Sequence, residues 1–359
     1  MLQSDRRTVL VLKPEGDYPR HSEGAFLRLK DGGILFVYSR FHSDWLDDAP
    51  SDIVGITSYD EGETWSEPRV YIAAKQFNTE NVMSCTLLRM ENGDLGLFYL
   101  VKANTWTYQL WLSRSRDEGE TFYEHRQCSR HRGDGIYVVN NDRVRRLSSG
   151  RIIIPLAIHR ILRLDGENKR YYDYRAVTFF LYSDDDGLTF TESSHTLAIP
   201  LSRSQSGLQE PGVIELNENL LWAYMRTDMM FQYESFSFDQ GDTWTQPQPS
   251  RFTSPCSPML VVRRPDNGWL YAVFNPIPEY LGRNAPKTSG GRTPIVFSIS
   301  EDNGKTWGEE QIIADDPVRG YCYPAVFFTK DGCMLVSYCS GSPEQLSCLA
   351  ETTISKVKL

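Results

Sequence analysis

Residues 58–65 read SYDEGETW, and the pattern Ser-x-Asp-x-Gly-x-Thr-aromatic returns four more times along the chain. The other copies are SRDEGETF (115–122), SDDDGLTF (183–190), SFDQGDTW (237–244) and SEDNGKTW (300–307). In such a motif the Asp side chain can bond backbone N–H groups of a tight turn. The Gly supplies a positive φ, and the aromatic ring packs on the sheet beneath. A calcium loop is not indicated, because the downstream bidentate Glu is missing. The five copies therefore predict five structural turns of one repeated unit.

Six hairpin-like segments alternate with these motifs, and each places a Gly, Asp or Asn turn between two apolar runs. They span residues 25–38, 87–99, 143–158, 213–224, 259–274 and 325–338. Four-stranded units repeated radially make a β-propeller. We therefore predict an all-β fold, a six-bladed β-propeller with four-stranded antiparallel blades, occupying residues 1–359 as a single domain. The last unit lacks the outer motif, and we expect residues 6–12 to supply its missing strand and close the ring.

The composition of the chain limits the classes of partner that we expect it to bind. The formal net charge is −9, which disfavours non-specific binding to nucleic acid. No apolar run approaches the roughly 20 residues of a membrane helix, and the charged N-terminus is unlike a signal peptide. The seven cysteines contain no CxxC pair that would indicate zinc. We therefore expect a cytoplasmic protein with free thiols and no nucleic-acid or membrane partner, and the sequence leaves the oligomeric state open.

Strand direction predicts which residues share one face of the propeller. Residues just before the first strand of each hairpin, and just after the second, lie opposite the hairpin turn. Charged groups collected there, near the axis, are costly to hold without partners or a ligand. Ion pairs between blades are the structural alternative to a ligand site. The residues on this face are Arg20, Arg40, Asp44, Asp47, Asp48, Glu210, Arg226, Arg292 and Tyr323.

In its repeated motifs, and in the order and spacing of these residues, the chain resembles the sialidase (neuraminidase) superfamily. The resemblance implies an exo-α-sialidase in which Arg20, Arg226 and Arg292 form a carboxylate-binding triad. It makes Tyr323 the nucleophile, with Tyr321 as a second choice, and Glu210 the base. Asp48 fits the acid/base position best, with Asp44 and Asp47 as alternatives. Further substrate contacts are implied for Arg40, for Asp44, and for Met83 or Trp106 in an N-acetyl pocket. A core position is the alternative for Met83.

The chemistry explains these residue types. Three guanidiniums can hold the anomeric carboxylate of a sialic acid by charge-assisted bonds. That carboxylate would repel a carboxylate nucleophile, and a neutral tyrosine avoids the repulsion. A tyrosine with a pKa near ~10 needs a base to ionise it. The resemblance therefore implies retention of configuration through a tyrosyl intermediate, with no metal or organic cofactor and with a sialylated glycan or sialic-acid-like sugar as partner.

One departure from the family concerns the substrate. Sialidases usually follow the first arginine with Ile-Pro, whereas Arg20 is followed here by His21, Ser22 and Glu23. A glutamate facing Arg20 would partly neutralise the carboxylate clamp. Hydrolysis of a related ulosonic acid, Kdn or Kdo, therefore stays an alternative, as does an inactive glycan-binding propeller. An interaction scaffold is a third reading, but it gives no reason for arginines and acids to converge on one face.

Overall fold

The computed structural model describes residues 1–129, 135–163, 170–200, 204–277 and 289–359, except the side chains of Arg163 and Arg170. Within these ranges the fold is all-β and propeller-like, and short 3-10 turns lie at Ala74–Phe77 and Pro343–Gln345. The described residues include no helix that is long and apolar enough to cross a membrane.

The strands run in a regular succession along the chain. The first ten are β1 (Leu2–Gln3), β2 (Arg6–Leu12), β3 (Arg20–Arg28), β4 (Ile34–Phe41), β5 (Ser51–Ser58), β6 (Arg69–Ile72), β7 (Asn81–Arg89), β8 (Leu95–Asn104), β9 (Thr107–Ser115) and β10 (Glu124–Gln127). The next nine are β11 (Gly135–Val138), β12 (Arg145–Arg146), β13 (Ile152–Arg163), β14 (Arg170–Ser183), β15 (Thr191–Glu192), β16 (Gln209–Asn217), β17 (Leu220–Arg226), β18 (Phe231–Ser237) and β19 (Gln248–Thr253). The last seven are β20 (Leu260–Arg263), β21 (Leu270–Phe274), β22 (Ile295–Ser300), β23 (Gln311–Ala314), β24 (Gly320–Phe328), β25 (Cys333–Gly341) and β26 (Glu351–Lys358).

Hydrogen bonding joins the described strands into five sheets of five, eight, five, four and four strands. This differs from the predicted set of separate four-stranded sheets. Two antiparallel ladders, β3–β6 and β7–β10, are linked into the eight-stranded sheet by one parallel pair, Ser51 with Asn81. One five-stranded sheet gains β1 on the edge of β23. In the other, β11 and β12 both pair with β13. The additions come from short edge pairings, which the hydrophobic pattern does not predict.

The predicted hairpins are present, and residues 6–12 supply a strand of the last sheet as predicted. All six segments contain antiparallel pairs, β3–β4, β7–β8, β12–β13, β16–β17, β20–β21 and β24–β25. The N-terminal strand β2 pairs antiparallel with β26, at the opposite end of the chain. Pairing of the two termini in one sheet covers an edge that would otherwise be open to other chains.

The five repeated motifs form turns with one hydrogen-bond pattern. In the first, Asp60 Oδ1 accepts the Thr64 N–H at 2.9 Å and Asp60 Oδ2 accepts the Thr64 hydroxyl at 2.5 Å. Ser58 Oγ accepts the Gly62 N–H at 2.9 Å, and Gly62 has a φ of 88°. The same Asp–Thr bonds occur at Asp117, Asp185, Asp239 and Asp302. These turns carry no catalytic geometry.

The motif's aromatic ring packs into the hydrophobic core. Trp244 is 7% exposed and stacks on Phe180 of β14 with ring centroids 4.0 Å apart. Its indole N–H donates to the Gly241 carbonyl at 3.0 Å, so the buried polar atom is satisfied. Because β14 belongs to a different sheet from β18, this ring helps to fix the angle between neighbouring sheets.

Candidate active site

A bulge in each of four hairpin strands sets the geometry of the site. The register shifts between Ser22 and Ala25 in β3, Met83 and Thr86 in β7, Gln209 and Gly212 in β16, and Cys322 and Ala325 in β24. One residue within each bulge has a left-handed backbone: Glu23 (φ 61°), Ser84 (57°), Glu210 (44°) and Tyr323 (53°). Left-handed φ is strained for residues other than glycine and is concentrated at functional sites. A bulge re-aims the side chain that it carries.

Two of the bulged residues meet directly. The Tyr323 hydroxyl donates to Glu210 Oε1 at 2.7 Å. Burial, reinforced by the charge of Glu210, raises the pKa of Tyr323 well above its usual value. Burial is the largest single influence on Glu210 and opposes its ionisation, but the charge of Arg226, the hydrogen bonds from Arg226 and Tyr323 and the charge of Arg292 together lower the pKa of that carboxyl. At neutral pH the pair is therefore a neutral phenol bonded to a carboxylate, ready to pass one proton.

Two predicted arginines flank this pair. Arg226 Nη1 lies 2.8 Å from Glu210 Oε2. The guanidinium of Arg292 lies 5.9 Å from the centroid of the Tyr323 ring. Both arginines contact Cys256: Arg226 Nε donates to its Sγ at 3.2 Å, and Arg292 Nη2 donates to its carbonyl at 3.0 Å. One residue thus holds both guanidiniums beside the tyrosine.

The third arginine of the predicted triad, Arg20, is 1% exposed and lies 4.1 Å from the centroid of the Phe41 ring. Its Nε donates to Ser22 Oγ at 2.9 Å. Its Nη1 donates to the Trp45 carbonyl at 3.1 Å and to Asp47 Oδ1 at 2.6 Å. Each of its nitrogens has a protein acceptor, since Nη2 is bonded to the bulged glutamate described next.

Glu23 faces Arg20, an arrangement that the sequence left open. Arg20 Nη2 lies 3.4 Å from Glu23 Oε2, and Glu23 is 5% exposed. Burial raises the pKa of Glu23 to about 7, against the opposing charge of Arg20. The charges of Asp47 and Glu210 add to the rise. Glu23 is therefore a further acidic group of this site that titrates near neutral pH.

The loop after β4 places its three aspartates differently. Asp47 lies on Arg20, and although desolvation opposes ionisation, the charge of Arg20 lowers the pKa of Asp47. Asp48 Oδ1 accepts the Tyr108 hydroxyl at 2.9 Å and lies 3.2 Å from Lys102 Nζ. Both carboxylates are largely exposed, at 67% and 62%. Asp44 caps its own loop instead, accepting the Trp45 N–H at 2.6 Å.

The structure does not bring Arg40 or Asp44 into the cluster. Arg40 is paired with His21 and adjoins Phe41, whereas Arg20 pairs with Phe41. Neighbouring residues of a strand point to opposite faces, and the Arg40 guanidinium packs 4.2 Å from the centroid of the Tyr18 ring. The structure thus places the Arg40 guanidinium against Tyr18, on the other side of the sheet from Arg20, and bonds the Asp44 carboxylate to the loop backbone.

The structure also shows where the predicted apolar contacts and the second candidate nucleophile lie. Met83 is 6% exposed and belongs to the core cluster that contains Phe41 and Leu100, so it is a packing residue rather than a pocket wall. Trp106 is half-buried in the turn between β8 and β9. Tyr321, the second choice of nucleophile, accepts the Asp316 N–H at its hydroxyl and makes no bond to Glu210.

A pocket of about 640 Å³ opens beside Arg226, and its wall contains residues that the sequence analysis did not single out. Tyr172 and Tyr174 supply aromatic surface, and Cys256 supplies the thiol described above. The sequence signal for these tyrosines is the run RYYDYR at the start of β14. The strands β13 and β14 are longer than those of the other hairpins. Within the described part of the chain, no cluster of three His, Cys, Asp or Glu side chains is arranged to hold a metal ion.

Comparison with known proteins identifies a matching sequence family and solved structures with a similar fold. The model of the BNR repeat-like domain matches residues 85–336. No curated protein is matched by sequence. Among solved structures, a protein of unknown function from Dyadobacter fermentans has a TM-score of 0.72 and 18% identity, covering 98% of this chain and 99% of that one.

Two sialidases are also similar in structure. The Hadza microbial sialidase Hz136 has a TM-score of 0.70 and 17% identity, with 96% of this chain and 66% of that one covered. The sialidase of Trypanosoma rangeli, solved in complex with sialic acid, has a TM-score of 0.67 and 14% identity, with 100% and 59% covered. At these identities the likeness concerns the fold.

Proposed function

Because the chain belongs to the BNR repeat-like domain family and has the sialidase fold, we propose that it is an exo-α-sialidase. The reaction is hydrolysis of a terminal sialic acid glycoside with retention of configuration. The observation that carries the proposal is the bond between Tyr323 and Glu210, flanked by Arg226 and Arg292. We also propose that the propeller-like fold has six blades, with the linked ladders β3–β6 and β7–β10 as two of them.

In the first step Glu210 takes the phenolic proton as the Tyr323 oxygen attacks the anomeric carbon. The bond to the leaving glycosidic oxygen breaks, and Asp48 gives that oxygen a proton. Arg226 and Arg292 hold the substrate carboxylate by charge-assisted bonds. A carboxylate nucleophile in place of tyrosine would be repelled by that group, which is the physical reason for a neutral phenol.

In the second step Asp48 takes a proton from water, and the water oxygen displaces Tyr323 from the anomeric carbon. The phenolate recovers its proton from Glu210, so both residues return to their starting states. Arg20 joins the clamp when the substrate carboxylate replaces Asp47 on Nη1.

The ligand class has separate support. The Trypanosoma rangeli sialidase binds sialic acid in its solved complex. In this chain, the open pocket beside Arg226 has room for the remainder of a sugar acid, with Tyr172 and Tyr174 as stacking surface. We propose a terminal sialylated glycan as the partner and no cofactor.

A second candidate is hydrolysis of Kdn or Kdo glycosides, and the contact between Arg20 and Glu23 favours it. A negative Glu23 weakens the clamp and changes which groups are tolerated around the carboxylate. Met83, the residue predicted for an N-acetyl pocket, is in the core. The mechanism would be unchanged, since the nucleophile and base act at the carboxylate-bearing anomeric carbon that all three sugar acids share.

The test is fluorogenic hydrolysis of 4-methylumbelliferyl glycosides of N-acetylneuraminic acid, Kdn and Kdo. Turnover of the first establishes the sialidase. Turnover of only the second or third moves the substrate to that sugar and keeps the mechanism. Binding of these sugars without turnover of any glycoside would replace the hydrolase with a glycan-binding propeller.

A further inference from the structure

Arg143 is a buried cation that the catalytic site does not use. It follows Asp142, whose φ is 52°, and is 1% exposed. Its backbone N–H donates to Thr86 Oγ1 at 3.0 Å, which anchors the segment. Its guanidinium carbon lies 5.7 Å from the centroid of the Tyr224 ring. Among the described residues, none of its three guanidinium nitrogens has a hydrogen-bond acceptor.

The acidic groups whose charge reaches Arg143 already have other partners. Asp142 Oδ1 lies 3.2 Å from Arg145 Nη1, and the Asp142 carbonyl accepts from Arg145 Nη2 at 2.7 Å. Glu210 is bonded to Arg226 and Tyr323. No carboxylate in the described structure is therefore left to neutralise Arg143.

The energetic cost of this arrangement is large. A buried ion without compensation costs several kcal/mol even after relaxation, and an arginine does not escape by losing its proton. Burial lowers the pKa of Arg143, which shows the direction of the penalty. The ring contact with Tyr224 places the negative face of a quadrupole near the guanidinium but supplies no counter-ion. The guanidinium requires a counter-charge of its own.

A basic cavity lies beside the segment that carries Arg143. It has a volume of about 820 Å³, and its wall includes Asp142 and Arg145, the neighbours of Arg143 in the chain. Its basic residues outnumber its acidic ones, and a concave surface of one sign concentrates ions of the opposite sign. The basic residues are Arg28, Arg145, Arg146, Arg263, Arg264 and Lys330, and the acidic residues are Asp142, Glu215 and Asp266.

We propose that Arg143 binds a small inorganic anion of the halide class, which enters through this basic cavity and neutralises the buried guanidinium. The guanidinium N–H groups donate to the anion, and no covalent bond is made. The site is distinct from the carboxylate clamp and does not depend on the proposed hydrolase activity. A bound water would satisfy the donors but would leave the charge uncompensated.

The direct test is diffraction from crystals of the intact protein grown in sodium bromide, recorded at the bromine absorption edge. We expect an anomalous peak within hydrogen-bond distance of the Arg143 guanidinium. Density there without anomalous signal, or no density, would overturn the proposal, because either result means that no exchangeable halide occupies the site.

A solution test uses thermal unfolding at constant ionic strength, with gluconate exchanged for bromide. Ligand that binds only the folded state raises Tm with its concentration. The wild type and Arg251→Met, which removes an exposed arginine, should both gain Tm, and Arg143→Met should not. An equal gain in Arg143→Met would contradict the site. If Arg143→Met does not fold, the anomalous map of the wild type decides.

Discussion

The Tyr323 hydroxyl and Glu210 Oε1 are 2.7 Å apart, although the two residues are separated by 113 positions and lie in different sheets. Each is the left-handed residue of a β-bulge in the first strand of its hairpin. The left-handed backbone at each bulge thus orients a reactive side chain toward its partner. The lowered pKa of Glu210 keeps that side chain a carboxylate, which can accept a proton, and the raised pKa of Tyr323 keeps the phenol protonated until an adjacent base removes its proton.

Glu210→Gln should lower kcat by about 10²–10⁴-fold, the usual contribution of a general base. The carboxamide keeps the shape of the side chain but does not accept the phenolic proton. Steady-state hydrolysis of the fluorogenic glycoside measures the effect. Glu215→Gln is the matched control, since Glu215 lies in the same strand and bonds Ser148. Comparable losses in the two variants would assign Glu210 a structural role.

Asp48→Asn should slow glycosides with poor leaving groups far more than the aryl glycoside, because a good leaving group needs little protonation. Measurement of kcat/KM for a sialyllactose and for the 4-methylumbelliferyl glycoside checks this.

Asp47→Asn should instead bind the free sugar acid several-fold more tightly, because Asp47 no longer competes for Arg20. If the leaving-group signature appears in Asp47→Asn, the acid/base role belongs to Asp47.

Glu23 should make the clamp pH-dependent. Its pKa is raised from 4.5 to about 7 by burial, so the folded protein holds this proton in a range where the unfolded chain has lost it. Stability from this group is complete below pH 4.5 and is lost as pH rises through about 7. The same ionisation places a negative charge on Glu23, beside Arg20, and this charge competes with the substrate carboxylate. KM should therefore rise as pH rises through about 7.

Glu23→Gln removes this titration. The variant should show a flatter KM between pH 5 and 8 and a smaller loss of Tm across the same range. Glu344→Gln, at an exposed position, is the control. A wild-type pH profile that survives in Glu23→Gln would show that another group sets it.

Much of the fold was predictable because it follows from local patterns. The hairpins, the repeated turns and the pairing of β2 with β26 all reflect alternation, turn chemistry and the need to cover a sheet edge. Strand direction placed Tyr323 and Glu210 on one face, and the resemblance to sialidases implied their roles as nucleophile and base. Short edge pairings, such as Ser51 with Asn81, have no such pattern and were missed.

Side-chain direction limited the prediction of the site. Arg20 begins β3 and Arg40 lies near the end of the neighbouring β4, on the same face of the molecule, yet they point to opposite sides of one sheet. Their spacing alone does not distinguish a clamp residue from one packed on Tyr18. Cys256 was also missed, because it acts through its carbonyl and thiol on two arginines that are brought together only by the fold.

The measurement that tests the central claim most directly is turnover of the fluorogenic sugar-acid glycosides by Tyr323→Phe beside Tyr321→Phe. Both tyrosines lie in β24, and only the first bonds Glu210. We expect Tyr323→Phe to fold and bind the sugar acid but to lose turnover, while Tyr321→Phe stays active. Full activity of Tyr323→Phe, in a preparation that is free of wild-type protein, would contradict the tyrosyl mechanism.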